Sequence, residues 1–251
     1  MRLQIITVAS FVVCASLILS AAQRGQRGAA APPHDPHDLS GVWLGRAITT
    51  GLNSPGPVYT PAGKAAEDKN KPSFGPRAVV PALGNDPLGD ANPPGIPRLL
   101  INHPVKFQLI PLQDKVIQLL SWYKVWREIW TDGRKPPEDP DPTWYGYSSG
   151  KWQGDEFVIT TIGLDPRAWA DCTGTPKSED AVVEERYHRL DRDNLQLTVM
   201  VTDPKYYLKP ISAKFAYRLD PEQSLFEDIF APVDEESFNK RVRNPAGGVT
   251  R

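Results

Sequence analysis

Asp165, Arg167, Trp169 and Asp171 stand close together in the chain. Lys177, Glu179 and Asp180 follow, and then Glu184, Arg186 and His188 at every second position. Residues two apart share one face of a β-strand, so Glu184, Arg186 and His188 are expected side by side. A carboxylate beside a guanidinium and an imidazole can take and return a proton. With a phenol added, Tyr147, Asp165, Glu184 and His188 form the candidate acid–base set. The same spacing also describes a solvated ladder of cross-strand ion pairs, each contributing little, and this simpler reading is preferred.

The second concentration is aromatic. Six of the seven tryptophans fall between Trp122 and Trp169. Strand alternation puts Trp126, Glu128 and Trp130 on one face and Arg127 and Ile129 on the other, while Tyr145 and Tyr147 share a face of the next strand. Such rings fill cores in general. With a few polar groups among them they also make the walls of small-molecule pockets. On that second reading the ligand-binding residues are Trp126, Trp130, Tyr145, Tyr147 and Trp169, with Arg127, Glu128 and Arg186 as polar anchors.

The motifs of well-known catalytic centres are missing. There is no Gly-x-Ser-x-Gly, His-Glu-x-x-His, phosphate-binding loop or dinucleotide glycine pattern. Outside the N-terminal segment the histidines are His103 and His188, too few for a multi-histidine metal site. Asn85-Asp86-Pro87-Leu88-Gly89-Asp90 has the residues of a loose cation loop but not the calcium-loop spacing, and Asx turns account for it equally. Neither a metal nor a cofactor is expected. Cys172 is the one cysteine outside the first 22 residues, so no disulfide is expected, and the thiol reads as a small, half-buried filler.

These residues need elements to hold them. Leu39–Gly45 reads as a first strand. Fifteen of the 26 prolines fall between Pro32 and Pro111, which bars that stretch from a sheet interior. One helix is predicted there, capped by Thr60 with Pro61 in its first turn. Residues 71–104 read as an ordered segment lying over one mouth of the domain. From residue 105 onward apolar and polar residues alternate, with turn residues at regular intervals. Strands are predicted at 106–111, 116–122, 125–131, 145–152, 156–162, 182–190, 195–202 and 213–219. Together these give a mainly β chain: an antiparallel up-and-down meander of about eight or nine strands, closing into a barrel that leaves no edge exposed. A short helix is predicted at 234–243, acids first and bases last.

Met1-Arg2, an apolar run from Leu3 to Leu19, and Ser20-Ala21-Ala22 have the parts of a signal peptide over residues 1–22. Residues 23–38 read as a disordered Pro/Ala/Gly tether, leaving 39–251 as a single barrel domain. The predicted location is periplasmic or secreted, with no membrane insertion after cleavage. Basic and acidic residues balance at 29 and 30, without the basic excess of a nucleic-acid partner.

Gly41-Val42-Trp43 ahead of a meander resembles the opening of lipocalin-type (calycin) barrels. A more specific likeness lies in Trp126–Arg134 (WREIWTDGR), Asp139–Ser148 (DPDPTWYGYS) and Gly150–Asp155 (GKWQGD), supported by Asn70–Arg77 and Asp203-Pro204-Lys205. These segments closely resemble a family of exported bacterial proteins, abundant in Acidobacteria-like soil bacteria, that brings no established activity. The resemblance implies histidines in relatives where this chain has Pro136, Tyr147 and Lys177, so any site they form there is lost or altered here. The leading expectation is an exported, lipocalin-like barrel that binds a small apolar or aromatic molecule. Its rivals are a cofactor-independent isomerase, cyclase or hydrolase on the same barrel, and a cell-envelope interaction module without a pocket.

Overall fold

A computed structural model describes residues 33–46, 51–52, 56–101, 105–226 and 236–248. The expected signal peptide, residues 23–32 of the tether, His103, and residues 234–235 of the C-terminal helix lie outside these ranges. Alternation of side chains makes the nine strands. They are β1 (Val42–Gly45), β2 (Lys106–Pro111), β3 (Lys115–Leu120), β4 (Val125–Trp130), β5 (Tyr147–Gln153), β6 (Glu156–Ile162), β7 (Val182–Arg189), β8 (Asn194–Thr202) and β9 (Ile211–Leu219). On β8, Leu195, Leu197, Val199 and Val201 are buried, and the residues between them face outward. On β7 the inward set is Val183, Glu185, Tyr187 and Arg189. The strands close into a barrel in chain order, with β9 paired back to β1, a form compatible with a lipocalin-like fold.

The antiparallel ladder is interrupted at one seam. β4 and β5 run parallel, joined by two register pairs, Ile129↔Ser148 and Trp130↔Ser149. The cause is parity. Strands that alternate direction around a closed ring must be even in number, so nine strands force one like-directed neighbour. A parallel pair needs a long return connection, and residues 131–146 supply it.

Direction sorts the connections to two ends. The hairpin end carries the tight turns 112–114, 154–155 and 190–193. At the last of these Asp191 Oδ1 accepts from the backbone N–H of Asp193 and Asn194 at 2.8 and 2.9 Å. His37 and Asp38, at the end of the expected tether, contact this end. His37 stacks on Trp152 with ring centroids 4.4 Å apart, and its Nε2 lies 2.9 Å from the Gly154 carbonyl. Arg189 donates to the Asp38 carbonyl and lies over the Trp43 ring.

The loop-rich end carries the described residues between β1 and β2, with residues 121–124, 163–181 and 203–210. Helix α1 (Pro61–Lys69) begins as predicted, the Thr60 hydroxyl accepting from Gly63 N–H at 3.0 Å. The proline-rich segment inserts Ile96 and the short helix α2 (Arg98–Ile101) into the core, where Ile96, Leu99, Leu100 and Ile101 are buried. Two buried carboxylates tie the loops together. Asp171 accepts from the backbone N–H groups of Leu52, Thr173 and Thr175 and from both threonine hydroxyls. Asp203 accepts from the N–H and hydroxyl of Ser178. At the C-terminus a π-helical turn (Asn239–Arg243) continues into α3 (Asn244–Ala246).

The barrel interior is apolar around Trp43, Phe107, Tyr187 and Tyr217 and polar at its middle. Arg127 on β4 pairs with Glu185 on β7 at 2.5 Å, both buried. Its Nε donates to Gln118 on β3 at 2.7 Å. Tyr187 donates to the same Glu185 oxygen at 2.9 Å and accepts from Gln118 at 3.1 Å. Removing one partner of a buried pair strands the other charge, while replacing both with apolar groups is often neutral. Arg127→Met should therefore lower the unfolding free energy by about 3–5 kcal/mol, and Arg127→Met with Glu185→Leu should recover most of it. Chemical denaturation checks both; equal losses in the single and double variants contradict this account.

Candidate functional site

The structure does not bring the sequence-predicted site residues together. Trp126, Glu128 and Trp130 share a face, as alternation requires, but it is the outer face. Trp126 is 60% exposed. Trp130 lies between Lys115 and Arg134, whose charged groups stand 4.3 and 3.4 Å from its ring centroid, and Glu128 pairs with Lys115 at 2.5 Å. Arg127 points inward, spent on Glu185. Tyr145 is half-buried, and burial pushes its phenol up to about 12. Tyr147 is half-buried on the outward side of β5. Trp169 is buried in the β6–β7 connection.

The acid–base candidates do not converge either. Arg186 donates to Glu184 at 2.8 Å and reaches Glu156 on β6 at 3.1 Å. This is the outer-face ladder preferred from the sequence, and His188 stands on that same face. Asp165 sits in the β6–β7 connection, paired with Arg167 at 2.5 Å. The hydrogen bonds from Arg167 hold its carboxyl below the ordinary carboxylate range.

Two cavities deserve comparison by size. At the hairpin end, Leu109, Pro111, Val116, Trp152 and Phe157 enclose about 100 Å³ under residues 37–40. Small-molecule sites run to roughly 300–1,000 Å³, so this one is too small. At the loop-rich end a cavity of about 390 Å³ is walled by Phe74, Leu88, Trp122, Tyr123 and Phe238, with Asp86, Arg98, Cys172 and Arg243 among its polar groups. It falls within the range.

This second cavity is lined by an ion pair between a buried arginine and a half-buried carboxylate. Arg98, 2% exposed, makes a two-pronged contact with Asp86, Nη1 to Oδ1 at 2.7 Å and Nη2 to Oδ2 at 2.6 Å. Its Nε points at Cys172 Sγ, 3.3 Å away. Burial alone would lower the Arg98 pKa, but the hydrogen bonds and charge of Asp86 hold it above its usual value. Burial pushes the Cys172 thiol up to about 11, against the pull of Arg98. That thiol is poorly suited to act as a nucleophile. Asp86 also caps its own turn, accepting from Leu88 N–H at 3.1 Å. The Asx turn read from Asn85–Asp90 is present, with a second task added.

One wall is strained. The β3–β4 turn places Tyr123 at φ 60° and Lys124 at φ 47°, the left-handed region where two-residue hairpin turns normally use Asn and Gly. Non-glycine residues there cost about 1–3 kcal/mol each and cluster at functional sites. The turn sets Trp122 and Tyr123 on the cavity. The sequence carried this signal: strands ending at Trp122 and resuming at Val125 leave Tyr123-Lys124 alone to make a tight turn without glycine. Arg98 left no comparable trace, because nothing local ties an arginine in a proline-rich segment to Asp86.

Lys177 is buried beside this end and donates to the Asp165 carbonyl. Burial lowers its pKa to about 8, opposed by the charges of Asp165 and Asp203. Among the described residues no group of three or more His, Cys, Asp and Glu side chains could hold a metal ion. No helix among them is long and apolar enough to cross a membrane. Comparison with known proteins returns no matching family model, curated protein or solved structure.

The Lys177 shift has a defined sign. Its folded pKa lies below the ordinary lysine value, so the unfolded chain binds more protons between pH 8 and about 10.4. Stability from this group rises with pH across that window. The unfolding free energy of the native protein minus that of Lys177→Met should therefore increase from pH 8 to pH 10, measured by urea denaturation. A constant difference contradicts the assignment.

Proposed function

We propose that this protein is an exported, lipocalin-like barrel that binds a small apolar or aromatic molecule in the cavity at its loop-rich end. The observation that carries the reading is the cavity itself: about 390 Å³, with aromatic walls from separate parts of the chain beside the Arg98–Asp86 pair. Phe74 and Phe238 are 50% and 53% exposed at its wall. Covering an aromatic ring contributes about 1.5–3 kcal/mol, and a ligand lying between them would gain a share of that from each. The strained Trp122-Tyr123-Lys124 turn supports the same location. Export rests on the N-terminal residues: a basic start, an apolar run and small residues before Gln23.

The test uses the neutral probe N-phenyl-1-naphthylamine. Saturable one-to-one fluorescence enhancement is expected. Ser73→Trp, which fills the cavity, should weaken binding by about tenfold or more, and Trp126→Ala on the outer wall should leave it unchanged. Absence of saturable binding, or equal affinity in Ser73→Trp, rules this site out. Export is read separately from the intact mass of the periplasmic protein, expected to begin at Gln23; a chain retaining Met1 contradicts it.

A further inference from the structure

Two guanidinium groups line the cavity, and their surroundings differ. Arg98 is neutralised by Asp86 through its two-pronged contact. Arg243 has no carboxylate partner among the described residues. Its Nε donates to the Pro81 carbonyl at 2.7 Å, Nη1 to Asn239 Oδ1 at 3.1 Å and Nη2 to the Gly84 carbonyl at 3.3 Å. All three acceptors are neutral. A guanidinium has five N–H donors in a fixed fork, so two of its N–H groups remain, along with the whole positive charge.

Gly89 lies against the Arg243 guanidinium. A Cβ added at Gly89 would stand 2.6 Å from Arg243 Nη1, so glycine lets the guanidinium lie against that turn. Asn239 fastens the same helical turn to the Gly89 carbonyl at 3.0 Å. The three acceptors hold the fork in place, and none of them carries a charge. Among the described residues the charged groups lining the cavity are Asp86, Arg98 and Arg243, one net positive charge beside aromatic walls.

We propose that the ligand is an aromatic carboxylate, its ring against the aromatic walls and its carboxylate paired with Arg243. This rests on the binding site proposed above. A planar guanidinium fork matches a carboxylate in geometry as well as charge, and a second anion beside Asp86 would balance the charge of the described lining.

Displacement of N-phenyl-1-naphthylamine at pH 7 by 1-naphthylacetate and by its neutral isostere 1-naphthylacetamide tests the proposal. The acid should bind about tenfold more tightly than the amide. Arg243→Gln should bring that ratio to within twofold. Arg243→Lys, which keeps the charge and loses the fork, should retain part of it. An acid and amide of equal affinity in the native protein overturn the proposal, as does a preference that survives Arg243→Gln. If neither compound nor the probe binds, the binding site itself fails. If the probe binds and the amide competes as well as the acid, the site stands and only the carboxylate assignment falls.

Discussion

Nine strands cannot close into a ring with every neighbour antiparallel, and the rest of this molecule is arranged around where that mismatch is placed. The parallel seam between β4 and β5 has only two register pairs, against eight between β7 and β8. It therefore holds few of the backbone hydrogen bonds that tie the other strands together. The interior polar cluster lies across this weak join. Arg127 on β4 reaches Gln118 on β3, Ser148 on β5 and Glu185 on β7, and Ser148 in turn meets Thr161 on β6 at 2.9 Å. A buried ion pair is costly by itself. Here it ties β4 to β7 across the interior, and the same arginine reaches over the seam to Ser148 on β5 at 3.5 Å.

The same closure decides where a ligand can go. At the hairpin end, short turns and residues 34–40 lie over the barrel, with Arg189 bridging Trp43 and Asp38. The interior is taken up by Trp43, Phe107, Tyr187, Tyr217 and the charge cluster. Space of ligand size is instead found at the other end, among the long connections that the strands leave there. Carboxylates hold those connections in place: buried Asp171 for residues 52 and 171–175, buried Asp203 for Ser178, and half-buried Asp86 for Arg98. Binding residues carried on loops over a rigid barrel are a common division of labour.

Much of the fold was legible in the sequence. Period-two alternation on β8, Thr60-Pro61 before α1, and the turns at Gly154 and Asp191–Asn194 are local signals, and local signals predict local structure. The seam was not legible. Parallel pairing is a property of the closed ring, and the uncertainty between eight and nine strands concealed the parity that settles it. The site was legible only in pieces. Alternation correctly grouped Trp126, Glu128 and Trp130 but says nothing about which face is inside. What distinguishes the faces is Arg127, a charge turned inward because Glu185 waits far along the chain. Ion-pair partners such as Arg98 and Asp86, or Arg127 and Glu185, leave no periodic mark.

The central claim is that the binding site lies at the loop-rich mouth, neither inside the barrel nor on its aromatic outer wall. Fluorine NMR of protein labelled with 5-fluorotryptophan, which carries seven reporters, tests it most directly when titrated with N-phenyl-1-naphthylamine. The account predicts that the Trp122 resonance moves saturably while those of Trp43, Trp126 and Trp130 stay in place. Movement of Trp126 and Trp130 with Trp122 unmoved would contradict it.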